Sequence, residues 1–165
     1  RRDKFPDFLE SVGVEINEED ERILKEYAET INKIMNMRKD LEKYIKESVK
    51  EIAPNLSEIA ENLGARLMAK AGGLEKLAKM SSSTLQLLGA EKSLFRHLRG
   101  QGKSPKYGII YLHPLIQSTP EEKRGKVARI LAAKLMQAVR IDFFSGRDES
   151  QRLKKELEEE IKAIK

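Results

Sequence analysis

Ile23, Tyr27, Ile31, Ile34, Met37, Leu41, Ile45, Val49 and Ile52 recur at spacings of three and four, with charged residues between them, until Pro54 stops the run. A stripe of that period specifies a helix about 45 Å long with a single apolar seam. Such a helix is not stable alone in water and must lie against another. Asn17 is placed to cap it, and Glu18, Glu19 and Asp20 follow in the first turn, where carboxylates suit the positive end of the helix dipole.

The nearest partner along the chain is the next apolar stripe, Leu56, Ile59, Ala60, Leu63, Leu67 and Met68, which Ala71-Gly72-Gly73 ends before a short helix over Leu74–Met80. With Pro54 at the corner, the two stripes predict an antiparallel hairpin. A two-helix cross-section leaves apolar surface uncovered, so the arm is expected to form a homodimer with Ile34, Met37, Leu41 and Ile45 at the seam. The alternative is a hairpin that packs only on its own C-terminal part. Residues 1–16, interrupted by Pro6 and Gly13, read as a linker.

Beyond the arm, Ser81-Ser82-Ser83 can cap a helix beginning near Thr84, and Leu85, Leu87, Leu88, Leu94 and Leu98 are expected in the core. Gly100 to Lys106 reads as a flexible loop, and Tyr107–Ile116, apolar but too short for a buried helix, as extended chain. Thr119-Pro120-Glu121-Glu122 matches a capping box at the head of a helix running to about Phe144. A last helix over Ser150–Lys165 would bury Leu153, Leu157, Ile161 and Ile164. The expected fold is all-α: a long antiparallel coiled-coil arm over 17–81 and a small helical domain over 82–165.

Charge divides the same way. Residues 1–80 carry 15 basic and 17 acidic side chains, residues 81–147 carry 12 and 4, and residues 148–165 carry 5 and 6. One segment therefore holds the whole excess of +5. That local block fits a polyanion-binding surface, and equally a solvated basic face. With 36% charged and 5% aromatic residues, only one modest core is expected. Without cysteine there can be no disulfide, thiolate zinc site or cysteine nucleophile. No run of eighteen apolar residues exists and the Arg1-Arg2-Asp3 start is not signal-like, so a soluble intracellular protein with no membrane partner is expected, cut from something longer. His97 and His113, the only histidines, have no second metal ligand at usable spacing, and no Walker, GxGxxG or GxSxG loop is present. Neither a catalytic role nor a cofactor is expected.

In Gly89–Arg99 a helix would set Lys92, Arg96 and Arg99 on one face, with Leu94 and Leu98 turned to the core. The small Gly89-Ala90 pair would let a backbone or phosphate approach the helix N-terminus. Phe95, beside the cations, suits stacking, partner contact or plain core. Farther on, Lys126, Arg129, Gln137 and Arg140 share a narrow sector opposite Val127, Leu131, Leu135 and Ala138. Lys123 and Arg124 occupy a first turn, where cations are mildly unfavourable. Lys134 projects from the apolar side, either snorkelling or facing a groove.

The run GAEKSLFRHLR over 89–99 resembles the signature helix of the Nop domain, with Ser93 where Ala is usual. PKYGIIYLHPLIQSTP over 105–120 and GKVARILAAKLMQAVRIDF over 125–143 resemble the family's following blocks, and IAPNLSEIAENLGARLMAKAGGLEKLAKMSSSTLQLLGAEK its coiled-coil return helix and domain entry. The resemblance implies a scaffold of box C/D guide ribonucleoproteins that recognises a kink-turn RNA jointly with a small ribosomal-protein-like kink-turn binder. It implies pairing through the coiled coil. It further implies recruitment of the 2′-O-methyltransferase fibrillarin through a separate N-terminal domain that residues 1–165 do not include. Such a protein would be cytoplasmic in an archaeal cell and nucleolar in eukaryotes.

Carried over by motif, Gly89, Ala90, Glu91 and Lys92 would sit at the junction of RNA stem and kink-turn protein. Arg96 and Arg99 would contact phosphates, and Leu94 or Phe95 the protein partner. Gln117, Ser118, Arg124, Lys126 and Arg129 are further RNA-contact candidates, and Lys103 and Ser104 could order on RNA. The rival readings are the family's spliceosomal kink-turn paralogue and a coiled-coil adaptor whose basic domain takes an acidic protein.

Overall fold

The computed structural model describes residues 17–164; the expected linker over 1–16 lies outside them. Among the described residues the only regular elements are helices, with no strand, as expected. Helix α1 spans Glu18–Ile52, and the Asn17 side chain accepts the Asp20 amide at 2.8 Å, the cap anticipated for it. Its apolar stripe is mostly uncovered: Ile34, Met37, Leu41 and Ile45 are 46–64% exposed, Val49 is half-buried, and no residue of the helix is buried.

By packing the chain divides at Leu41, and residues from Glu42 onward form one compact unit. The expected return helix is not continuous. Instead of one return helix there are α2 (Pro54–Ala60), a 3-10 turn (Glu61–Leu63) and α3 (Gly64–Ala71). Ala53, non-helical at φ −142°, turns the chain before Pro54, and Glu61 at φ 52° interrupts it again. Leu56, Ile59 and Ala60 are then buried against α8 (Glu121–Arg140) and α9 (Ser150–Lys162), and Leu63 and Leu67 are buried in the same cluster, so the second stripe serves the globular core.

Four short helices complete the unit: α4 (Leu74–Lys79), α5 (Ser82–Leu87), α6 (Glu91–Leu98) and α7 (Pro114–Gln117). Gly72, left-handed at φ 84°, closes α3 as the Gly-Gly break requires, and Ser81 caps α5 through the Thr84 amide at 3.1 Å. Val127, Leu131, Leu135 and Ala138 of α8 are buried as their periodicity demands, with Leu153, Leu157 and Ile161 of α9 packed against the same core.

Three local expectations fail. Tyr107–Ile116 is not extended: a 3-10 turn (Ile109–Leu112) and α7 bury Ile110 and Ile116, and tertiary packing overrides the short length of the run. Thr119 does not close a capping box, because its hydroxyl donates to the Leu115 carbonyl at 2.6 Å and Pro120 takes the cap position. Leu98 is 69% exposed and Leu94 only half-buried, since α6 buries none of its residues.

Two buried polar side chains hold the unit together. Asn55 donates to Asp142 Oδ1 at 2.6 Å and to the Arg147 carbonyl at 2.7 Å, and accepts the Glu149 amide at 2.7 Å. Asp142 in turn accepts the Asn55 and Leu56 amides, capping α2. His113 reaches the Ile59 carbonyl through Nε2 at 3.0 Å and accepts the Leu115 amide at Nδ1 at 3.2 Å, which caps α7. That pair of bonds requires the neutral ring protonated at Nε2. Burial holds its pKa below the ordinary histidine value.

Candidate nucleic-acid interface

Two glycines set the base of the basic segment. Gly108 passes so close to the preceding chain that a Cβ there would stand 2.0 Å from the Leu88 carbonyl oxygen. The Gly108 and Ile109 amides donate to the Gln86 and Leu88 carbonyls at 2.8 and 2.7 Å, and Gln86 Nε2 donates to the Lys106 carbonyl at 2.8 Å. Gly89 is left-handed at φ 92°, and a Cβ on it would come within 2.6 Å of Ile109 Cγ1. What its missing side chain makes room for is therefore Ile109 of the same chain. Of the two approaches the sequence suggests there, a backbone or a phosphate, the neighbouring chain at Ile109 is the one present.

The corner before α6 is also held from within. Ala90, half-buried at the cap position, offers no capping group, and the Glu91 carboxylate folds back over the corner to accept the Gly89 amide at 2.8 Å. Its other oxygen pairs with Lys70 Nζ at 3.4 Å. The bond from the Gly89 amide, helped by Glu91's own amide and by Lys70, holds this carboxylate below the ordinary range.

Lys92 and Arg96 are exposed on α6 and Arg99 at its C-cap, as is Phe95 at 59%. The loop after α6 is closed by the Gln101 amide on the Arg96 carbonyl and by His97 Nδ1 with the Gly102 carbonyl at 3.0 Å, leaving Lys103 and Ser104 exposed. Opposite the loop, α8 contributes Lys126 and Arg129. Together with Lys106, Ser83, Gln86 and Glu122 these line an open groove between α5, the loop and α8. None of Lys92, Arg96, Arg99, Lys103, Lys106, Lys126 and Arg129 has an ion pair or side-chain hydrogen bond with another described residue. Seven uncompensated cations on α6, one loop and the face of α8 suit a polyanion.

Not every basic residue expected on this surface is free for it. Lys134 is 7% exposed and bridges Glu156 and Glu160 at 2.8 and 2.9 Å. Burial lowers its pKa, and the two carboxylates more than offset this, so its ammonium stays charged and faces α9. Arg140 donates to the Ala78 and Met80 carbonyls, joining α8 to the end of α4. Arg124 is partly committed, with Nε on the Thr119 carbonyl at 2.8 Å and its guanidinium 6.0 Å from the Tyr111 ring, which stacks on Tyr107. Gln117 and Ser118 are exposed at the end of α7, and the Ser118 hydroxyl donates to the Leu115 carbonyl. The groove draws in Ser83, Gln86 and Lys106, which the sequence did not single out; Lys106 alone could have been inferred, from its place in the basic segment.

An all-α unit whose basic loop and helices carry unpaired cations has the build of a helical nucleic-acid-binding adaptor. The family model described as "Nop: snoRNA binding domain, fibrillarin" matches residues 5–163. The chain belongs to the Nop family. It is 52% identical over 134 residues to an uncharacterized NOP5 family protein of Methanocaldococcus jannaschii, covering 81% of this chain and 32% of that protein. It is 45% identical over 136 residues to nucleolar protein 56 of Schizosaccharomyces pombe, covering 82% of this chain and 27% of the relative. A chain from the crystal structure of a fibrillarin/Nop5p complex superimposes with a TM-score of 0.72 at 34% identity, over 92% of this chain and 56% of that one. The chain thus spans about a third or less of these two curated relatives.

Proposed function

We propose that this chain is the RNA-binding and pairing portion of a box C/D guide ribonucleoprotein scaffold. It grips a kink-turn RNA together with the small kink-turn-binding protein and pairs with a second copy through α1. The scaffold itself does no chemistry; fibrillarin supplies the 2′-O-methyl transfer. The observation that carries this reading is the exposed, unpaired set Lys92, Arg96 and Arg99 on the helix whose sequence matches the family signature. Lys103, Lys126 and Arg129 extend the phosphate-binding surface, and Phe95 with the half-buried Leu94 offers the apolar contact for the protein partner. The nucleolar and NOP5 relatives favour the guide particle over its spliceosomal counterpart, and the archaeal relative favours a cytoplasmic location.

The test is a gel shift with kink-turn RNA, with and without the small protein. A supershift only when that protein is present supports the scaffold, whereas indifference to RNA in both lanes favours the adaptor for an acidic protein. Lys92→Ala with Arg96→Ala should weaken the ternary complex and leave the oligomeric state unchanged. If about six cations meet phosphates, affinity should fall on the order of 10³-fold between 50 and 200 mM salt.

A further inference from the structure

Helix α6 carries the cations at the centre of the proposed interface, yet buries none of its eight residues. Packing along its length therefore does not set its direction, and its attachment at the N-terminal end must. Two features make that attachment. Gly89 seats against Ile109 in a left-handed corner, and the Glu91 carboxylate holds the corner closed through the Gly89 amide while pairing with Lys70 on α3. Ala90 has no side chain able to do this, and no side chain caps the first-turn amides of the helix, so the corner bond is the one side-chain hold at this end. A carboxylate is also a poor phosphate ligand, because bringing RNA to it sets like charges together.

We infer that Glu91 is a positioning residue: its carboxylate fixes the corner at Gly89 and so aims α6 and its cations at the RNA, with Lys70 on α3 as a secondary brace. The two bonds differ in weight. A charge-assisted bond to a backbone amide is directional and strong, whereas an ion pair at 3.4 Å between side chains that are 47% and 42% exposed is screened and weak. Loss of Glu91 should accordingly matter more than loss of Lys70. Glutamine, which keeps a carbonyl acceptor at the same reach, should largely substitute for Glu91.

The inference rests on the scaffold reading only for its effect on RNA affinity, so the experiment has an arm without RNA. Amide hydrogen exchange of residues 89–94 is measured on the free chain for wild type, Glu91→Ala, Glu91→Gln and Lys70→Ala. Ternary complex affinity at several salt concentrations is measured for the same set plus Arg96→Ala. Glu91→Ala should raise exchange about tenfold in that segment alone and weaken the complex about fivefold, with an unchanged salt slope. Glu91→Gln should stay within about twofold of wild type, and Lys70→Ala should shift both readouts by about twofold. Arg96→Ala, which removes a phosphate contact, should lower the slope by about one and leave exchange alone. Unchanged exchange in Glu91→Ala overturns the inference, as does raised exchange with undiminished affinity. A slope lowered by about one in Lys70→Ala would instead make that lysine a contact. Failure of wild type to form the complex would defeat the scaffold reading, and the exchange arm would still decide whether Glu91 holds the corner.

Discussion

Asn55 uses both functional ends of its amide inside the compact unit, so its removal leaves the Glu149 amide and the Arg147 carbonyl without their partner. Each unsatisfied buried group costs roughly 1–3 kcal/mol, and Asn55→Ala should lose about 2–4 kcal/mol of unfolding free energy in urea. Asn55→Asp should lose more, since it discards the donor and sets a second carboxylate against Asp142. A loss under about 1 kcal/mol in both variants would show that the bonds are dispensable. His113 gives a pH signature. Its folded pKa lies below the ordinary value of 6.5, so the unfolded chain takes up the proton first as pH falls. Its contribution is therefore complete above about pH 6.5 and declines below it, in a range above the carboxylate titrations. The Tm should drop between pH 7 and pH 5, and His113→Gln, less stable at pH 7, should show a smaller drop over that interval; equal drops would acquit the histidine.

At the scale of elements, what the sequence made legible depended on whether the deciding partner lay within a few residues. The Asn17 cap, the Gly72-Gly73 break and the serine cap of α5 are local, and all appear as read. The second stripe was read correctly as apolar and wrongly as one continuous return helix, because the same period serves a coiled-coil seam and a globular core. Only the packing of α8 and α9 distinguishes the two. The site divides likewise: the cations of α6 stand free as their spacing suggested, while Lys134 and Arg140, equally basic in sequence, are claimed by Glu156, Glu160 and two carbonyls distant in the chain. That gives a test at this scale. A buried bridge of this kind is often replaceable by an apolar side chain of similar size, so Lys134→Met should change stability by no more than about 1–2 kcal/mol, as read by thermal melting. It should leave the salt slope of RNA binding unaltered. A slope lowered by about one would return Lys134 to the phosphate contacts.

Across the whole molecule, α1 sets a problem the described residues do not solve. Thirty-five residues form one helix with an apolar stripe and no buried position, and helicity of that length in water depends on tertiary or quaternary cover. Pairing with a second copy supplies that cover in the proposed scaffold. The stripe at Ile34, Met37 and Leu41 and the cations on α6 belong to different packing units, so substitutions in the two places should act independently. Met37→Glu with Leu41→Glu sets like charges into the seam and should convert a dimer to a monomer by light scattering at tens of micromolar, with reduced helicity in the far ultraviolet. Binding of one kink-turn module should stay within about threefold of wild type, whereas the joint binding of two modules in one particle should disappear, because the tether that makes the second event intramolecular has been cut. Lys92→Ala with Arg96→Ala should give the reciprocal phenotype, a dimer that has lost the RNA. An unchanged dimer after the glutamate pair would place self-association elsewhere, and loss of single-module binding along with the dimer would mean that RNA is read by a surface that two copies build together.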